Sequence, residues 1–286
     1  MSFNTQVATR LNEVASLLAE QDASPFRVQA YRRGAETVQR LDRPVNEILE
    51  QEGVEGLQKL PGIGDRLAIA IRDIVRLGRL PMLDRLRGES DPVELLRTVP
   101  GIGSITAQRL HDELGIDTLE ELESAAHDGR LVNPAGFGPK RVSGIIDSLA
   151  TRLGRVRATG SDAEHLAPIQ ELLAVDREYR ERAKAGELHK IAPRRFNPTG
   201  EAWLSILHTQ RGDRHYTAMF SNTARAHQLG RTNDWVILYY DGAGGERQAT
   251  VITSRGGALK GKRIVRGREE ECARLYGFDL PRAAGM

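Results

Sequence analysis

Leu60-Pro61-Gly62-Ile63-Gly64 and Val99-Pro100-Gly101-Ile102-Gly103 repeat one short pattern, a proline followed by two glycines around a single aliphatic residue. The aliphatic side chain can anchor such a turn to a core, while the glycines leave no Cβ in front of the backbone amides. Each copy lies between two predicted helices. Its amides therefore stand at the start of the following helix, where the first N–H groups lack partners and the dipole is positive. That combination suits phosphate. Gly62, Ile63 and Gly64, with Gly101, Ile102 and Gly103, are thus candidate phosphate-binding positions. A weaker third copy, Ala135-Gly136-Phe137-Gly138-Pro139-Lys140, adds Gly136, Gly138 and Lys140. One turn of this kind is a poor signal; three in one helical region point to a chain that holds DNA by its backbone.

The surroundings of these turns read as helices joined by short loops. Val7, Leu11, Val14, Ala15, Leu17 and Leu18 have the spacing of an amphipathic helix over 5–21, with Asn4 as its N-cap. A second helix begins near Phe26 and gathers Arg27, Tyr31 and Arg32 along one side. Two readings of that group stand side by side: a phosphate contact, or a half-buried tyrosine with solvated arginines. Further helices are expected over 45–52, over 65–77 with Gly78 as the stop, and over 104–114 with Gly115 as the stop. Two more follow over 118–126 and 141–153. No strand-like alternation occurs before about residue 155, so this region is all-α.

These pieces resemble a known family. Residues 5–155 are similar to the N-terminal lyase-type and fingers-type helical modules of the DNA polymerase X family. The match runs through Gln29-Ala30-Tyr31-Arg32-Arg33, Lys59-Leu60-Pro61-Gly62-Ile63-Gly64, Leu77-Gly78-Arg79-Leu80, Val99-Pro100-Gly101-Ile102-Gly103 and Gly115-Ile116-Asp117-Thr118-Leu119-Glu120-Glu121-Leu122. The resemblance implies two helix-hairpin-helix turns on the DNA backbone flanking a gap or nick. It also implies a monovalent cation, potassium or sodium, between protein and phosphate when DNA is bound. Its ligands would be the carbonyls of Gln58, Leu60 and Ile63, and of Arg97, Val99 and Ile102.

Two departures limit what carries over. The family's lyase chemistry needs a lysine amine, and the matching position holds Ala70, with Arg66 at the neighbouring basic position. A guanidinium stays protonated far above neutral pH and cannot replace that nucleophile. Residues 1–150 hold two lysines, Lys59 and Lys140, and Lys59 precedes the turn rather than following it. Binding remains: Arg27, Tyr31, Arg32 and Arg66 suit a 5′-phosphate or backbone phosphates. The second departure is the palm. After residue 155 no Gly-Ser turn leads into an Asp-x-Asp strand; Gly160-Ser161-Asp162 is followed by Ala163-Glu164-His165. Two-metal nucleotidyl transfer needs those carboxylates, so polymerase activity is not expected.

The C-terminal part changes character. A charged helix is expected over 164–185, its second half a solvated connector, and short strands follow from about 191. Residues 203–209 and 216–221 flank a hairpin at Gln210-Arg211-Gly212-Asp213-Arg214; residues 234–240 and 247–253 flank another at Asp241–Gly245. A short helix over 222–229, a strand near 263–265 and a helix from 269 complete it. The expected architecture is an all-α helix-hairpin-helix N-terminal region followed by a small α+β C-terminal domain. Its units are 1–88 (lyase-like, with the first hairpin), 89–155 (second and third hairpins), 156–190 (linker and helix) and 191–286 (α+β). His208, His215 and His227 fall near Arg211, Arg214 and Arg225 in one hairpin-helix unit. His208 and His215 are the candidate general bases of a metal-independent nuclease, against a plainer reading as polar groups on a half-exposed sheet. The Gly-interrupted basic run 255–263, with Lys260 and Lys262, can lie along a phosphate backbone.

With 286 residues, 28% of them charged, and a net charge of +2, the chain has the composition of about two ordinary globular domains. Its longest apolar runs fall short of the roughly 18 residues that span a bilayer, and the lone Cys272 excludes an internal disulfide. The expected setting is the cytoplasm, with DNA as partner and no membrane. The leading expectation is a repair-related protein holding gapped, nicked or recessed DNA through backbone phosphates. The alternatives are a nuclease or divergent abasic-site lyase with its catalytic groups in the C-terminal domain, and a protein-docking scaffold.

Overall fold

The apolar stripe of the first helix sets the N-terminal packing. Val7, Leu11, Val14, Ala15 and Leu18 of α1 (Phe3–Glu20) are buried against Val28, Tyr31, Ala35 and Val38 of α2 (Pro25–Arg40). Each full burial of such a side chain contributes on the order of 1.5–3 kcal/mol. The computed structural model describes residues 2–89, 92–131, 137–153, 166–242 and 245–278. Ser2, not Asn4, caps α1: its hydroxyl accepts from the Thr5 amide, so the helix starts earlier than expected. The Asn4 side chain is instead buried, donating to the carbonyls of Leu41 and Arg43 and accepting from the Val45 amide. It ties the helical hairpin to α3 (Val45–Gln58), which passes the expected stop at residue 52 by kinking at Gly53, φ +70°.

The first hairpin turn leads into α4 (Asp65–Leu77), and Gly78, φ +68°, ends it. Gly34 on α2 lets the two helices approach closely, since a Cβ there would meet Leu67 Cδ1 at 3.0 Å and Ile63 Cδ1 at 3.4 Å and push those side chains aside. Two short helices missed by periodicity, α5 (Pro81–Leu86) and α6 (Pro92–Arg97), each begin at a proline, which fits the first helical turn. The helices α7 (Ser104–Leu114), α8 (Leu119–His127) and α9 (Pro139–Arg152) enclose a second core of Leu96, Ile102, Leu110, Ile116, Leu122, Phe137 and Ile145. Thr118 and Glu121 form a capping box at the start of α8. Gly136 of the third turn lies outside the described residues, as do 154–165, which include Gly160-Ser161-Asp162.

The C-terminal part is an antiparallel meander. Strands β1 (Lys190–Ile191), β2 (Leu204–Arg211), β3 (Arg214–Phe220), β4 (Val236–Gly242), β5 (Gly245–Thr253) and β6 (Arg263–Val265) lie in chain order across the sheet. The registers His208↔Thr217 and Tyr240↔Arg247 set the alternation of its two faces. One face carries Leu207, Tyr216, Ala218, Val236, Leu238 and Val251 against α10 (Ile169–Ala185) and α12 (Glu269–Leu275). The other sends Leu204, Ile206 and Met219 into the core of α1–α5. The sheet is thus covered on both faces, with α11 (Ala224–Gln228) between β3 and β4.

The expected solvated connector at the end of α10 is corrected. Tyr179 is fully buried; its hydroxyl donates to the Ser205 carbonyl at 3.0 Å and accepts from the Phe220 amide at 2.8 Å. Asp176, 1% exposed, pairs with Arg180 and Arg263. The charged composition conceals a helix whose inward polar groups are engaged. Polar side chains also join the two halves. Gln21 donates to the Leu86 carbonyl and its amide oxygen accepts from His208, Arg85 pairs with Glu246, and Glu120 takes Gln248 and Thr250. No helix of the described residues is long and apolar enough to cross a membrane.

Candidate nucleic-acid interface

The two glycine turns share one geometry. Gly62 and Gly101 have φ of +74° and +86°, which only glycine adopts cheaply. Ile63 and Ile102 are 3% and 5% exposed and anchor the turns to separate cores. Gly64 and Gly103 are the N-caps of α4 and α7, both extended (φ −84° and −86°), and neither helix has a side-chain cap. The amides of Gly62, Gly64, Gly101 and Gly103 make no hydrogen bond among the described residues, and the glycines are exposed. A Cβ at Gly64 or Gly103 would meet nothing within 4 Å. Each turn therefore presents a row of unpartnered donors on open surface. Its carbonyl side is engaged: Thr37 donates to the Pro61 carbonyl at 2.8 Å, and Arg141 Nε donates to the Gly101 carbonyl at 2.9 Å. Arg141 went unnoticed in the sequence beside Lys140, which is exposed at the start of α9 with Gly138 just before it.

Arg27, Tyr31 and Arg66 gather around a space that Thr98 and Pro100 of the second turn also border. They line a cavity of about 350 Å³ between α2, α4 and the hairpin ends of β2–β3 and β4–β5, together with Ala70, His215 and Asp241. Arg32 is exposed and is not in its lining. The Arg66 guanidinium, 46% exposed, pairs with Asp241 at 3.0 Å and also donates to the Asp213 carbonyl. Arg27 donates to the sulfur of Met82 at 3.6 Å and bonds to the Tyr31 hydroxyl. Burial, then the cations of Arg27 and Arg66, outweigh Asp241 and push His215 down to about 4. His215 is a neutral imidazole beside two guanidiniums. Ala70, 6% exposed, stands where a lysine amine would face the same space.

The other expected residues fall elsewhere. His208 sits in the seam between the halves, Nδ1 3.1 Å from the Thr217 hydroxyl and Nε2 3.0 Å from Gln21 Oε1. Burial, followed by the cations of Arg27 and Arg85, holds it neutral, well below the usual histidine range. His227 bonds to Asn222 at 2.6 Å on α11, at the end of the sheet away from the cavity. Lys260 and Lys262 are exposed on the loop between β5 and β6, at that same far end. Among the described residues no group of three or more His, Cys, Asp or Glu side chains is placed to hold a metal ion.

This geometry defines a pair of helix-hairpin-helix modules, and the family comparisons agree. Residues 2–80 match a family described as a helix-hairpin-helix domain, and residues 93–151 match a SAM-like helix-hairpin-helix tandem. The chain is also similar to the DNA polymerase/3'-5' exonuclease PolX of Bacillus subtilis (strain 168), at 28% identity over 141 residues. That alignment covers 49% of this chain and 24% of the relative, so the chain spans about a quarter of the relative's length. The N-terminal half is a PolX-like region.

Proposed function

We propose that this protein grips gapped, nicked or recessed DNA through backbone phosphates, with little sequence preference, in DNA repair and without polymerase activity. The observation that carries the reading is the pair of exposed, uncapped helix starts behind Gly62-Ile63-Gly64 and Gly101-Ile102-Gly103. Phosphate oxygens satisfy those amides, and backbone contacts position a protein without reading bases. The two module matches and the PolX relative support DNA as the partner. A strand's 5′-phosphate at the gap fits the cavity of Arg27, Tyr31 and Arg66, where it would displace Asp241 from Arg66. A monovalent cation would sit at the carbonyls of Gln58, Leu60 and Ile63, or Arg97, Val99 and Ile102. Leu60 and Val99 each accept one turn hydrogen bond, at 3.1 and 3.0 Å, and keep a lone pair for it. The cytoplasm is the setting this function implies.

The test is a salt-dependent binding panel over intact, nicked, gapped and single-stranded DNA. Affinity should fall steeply with salt and rank gapped above intact duplex; equal affinity for the two defeats the end-recognition part. One observation favours a second reading, strand incision: neutral His215 shares the cavity with Arg27 and Arg66, a base beside cations. Incision of abasic or nicked DNA that disappears in His215→Ala would establish it, and no incision on the same gels would remove it.

A further inference from the structure

The far end of the sheet, away from the cavity, carries a group of aromatic rings that the hairpin turns do not use. Phe196, just before β2, is 43% exposed and lies on the His227 ring, with centroids 4.4 Å apart and planes tilted 34°. Trp203 meets the same imidazole edge-on at 6.4 Å. The Arg195 guanidinium stands 5.0 Å from the Phe196 centroid. Phe196 also has φ +53°, a left-handed backbone that a bulky side chain rarely adopts. The flanking chain holds it there: Asn222 donates to the Arg195 carbonyl at 3.0 Å, and Arg195 pairs with Asp117 at 3.2 Å. Asp117 also accepts from the Ala224 amide at the start of α11. The cluster is thus braced against the second hairpin module, just beyond the end of α7.

The charge around these rings is one-sided. Segments 194–203 and 222–231 contain Arg194, Arg195, Arg225 and Arg231 against one carboxylate, Glu201. The side chains of Arg194, Arg225 and Arg231 make no hydrogen bond or ion pair among the described residues. His227 is pushed below its usual value by burial and by Arg195, so it adds a flat neutral face rather than charge. The exposed rings of Phe196 and His227, backed by the half-buried Trp203 and flanked by the unpaired guanidiniums of Arg194, Arg225 and Arg231, match a polyanion that also has flat π-faces. An unpaired stretch of DNA is such a ligand, whereas a duplex keeps its faces stacked away.

We propose that Phe196, Trp203 and His227 form a stacking site for unpaired DNA bases, with Arg194, Arg225 and Arg231 on the flanking phosphates. The site is separate from the hairpin turns and does not depend on their role. Its place beside the second module suits the single strand that a gap or overhang exposes next to gripped duplex.

The experiment uses the full chain with a labelled ten-residue oligothymidylate and a blunt duplex, read by anisotropy and tryptophan fluorescence. Oligothymidylate should bind and quench Trp203. Phe196→Gly removes the ring and also relieves the left-handed strain, so the melting temperature should not fall. Its affinity for oligothymidylate should drop at least about fivefold, from stacking worth roughly 1–3 kcal/mol per base. Blunt-duplex affinity should stay unchanged. Arg225→Gln, at an exposed position, should lower the single-strand salt slope by about 0.7 and keeps the test open if glycine loosens the loop. No oligothymidylate binding, or binding unchanged in both variants, overturns the proposal. So does an equal fall in affinity for blunt duplex.

Discussion

Aspartate in place of Gly103 should move stability and DNA binding in opposite directions. Gly103 is extended, caps α7 without a side chain, and has open space where a Cβ would go. The first turn of α7 has no acidic residue. A carboxylate there accepts from the first-turn amides and faces the positive helix end. Relative to glycine the cap contributes a few tenths of a kcal/mol, and the dipole roughly 0.3–1 kcal/mol more. Unfolding by denaturant should therefore show Gly103→Asp about 0.5–1 kcal/mol more stable. The same carboxylate takes the donors that a phosphate would use. Each hydrogen bond to a charged group is worth about 1.5–3 kcal/mol, so affinity for gapped duplex should fall roughly 10- to 150-fold. The slope of log affinity against log salt should shrink by about 0.9 for each phosphate that the turn no longer holds. Gly62 and Gly101 are poorer probes, because their positive φ confounds strain with phosphate binding. A more stable Gly103→Asp that binds gapped DNA like the parent would refute the role of the turn. Gly64→Asp should behave alike with a smaller gain in stability, since Asp65 already occupies that helix start.

Asp241→Asn should free Arg66 and raise affinity for gaps bearing a 5′-phosphate about two- to fivefold. Stability should change by under about 1 kcal/mol, as for a half-exposed ion pair; an equal rise on unphosphorylated gaps would contradict the assignment. His215 is held near 4, so below about 6.5 the unfolded chain takes up the proton that the folded chain refuses. Stability is therefore full above 6.5 and should fall on the order of 2 kcal/mol as pH drops toward 4. Denaturation curves at pH 7.5 and 5.0 measure this, and His215→Asn should shrink the difference by that amount, leaving the share that buried His208 contributes over the same range. Tyr179→Phe leaves the buried Phe220 amide and Ser205 carbonyl without their partner, and should cost about 1–3 kcal/mol in a denaturant melt.

The helical half was legible because its signals are local. A 3.6-residue apolar period marks α1, α4 and α7, and glycine with positive φ marks the turns and helix stops, all within a few neighbouring residues. The same holds for the β2–β3 and β4–β5 hairpins, where Gly212-Asp213 and the Gly242–Gly245 turn announce themselves. The start of α1 was misplaced because Asn4 and Ser2 are both good caps, and only the bonds to residues 41–45 show which one is committed elsewhere. The run from Asp176 to Arg182 reads as solvated for a similar reason: composition says nothing about where a charged side chain finds its partner.

Sequence by itself determined that this chain has two tightly turned, uncapped helix starts and no lysine at position 70, since both are matters of residue type and short spacing. Tertiary structure alone decided which charges face each other. Arg66 meets Asp241 from the far side of the chain, His208 is spent on Gln21, and Phe196, Trp203 and His227 converge on one surface. Such pairings depend on how the sheet docks between α1–α5 and α10, through long-range burial that no local pattern encodes.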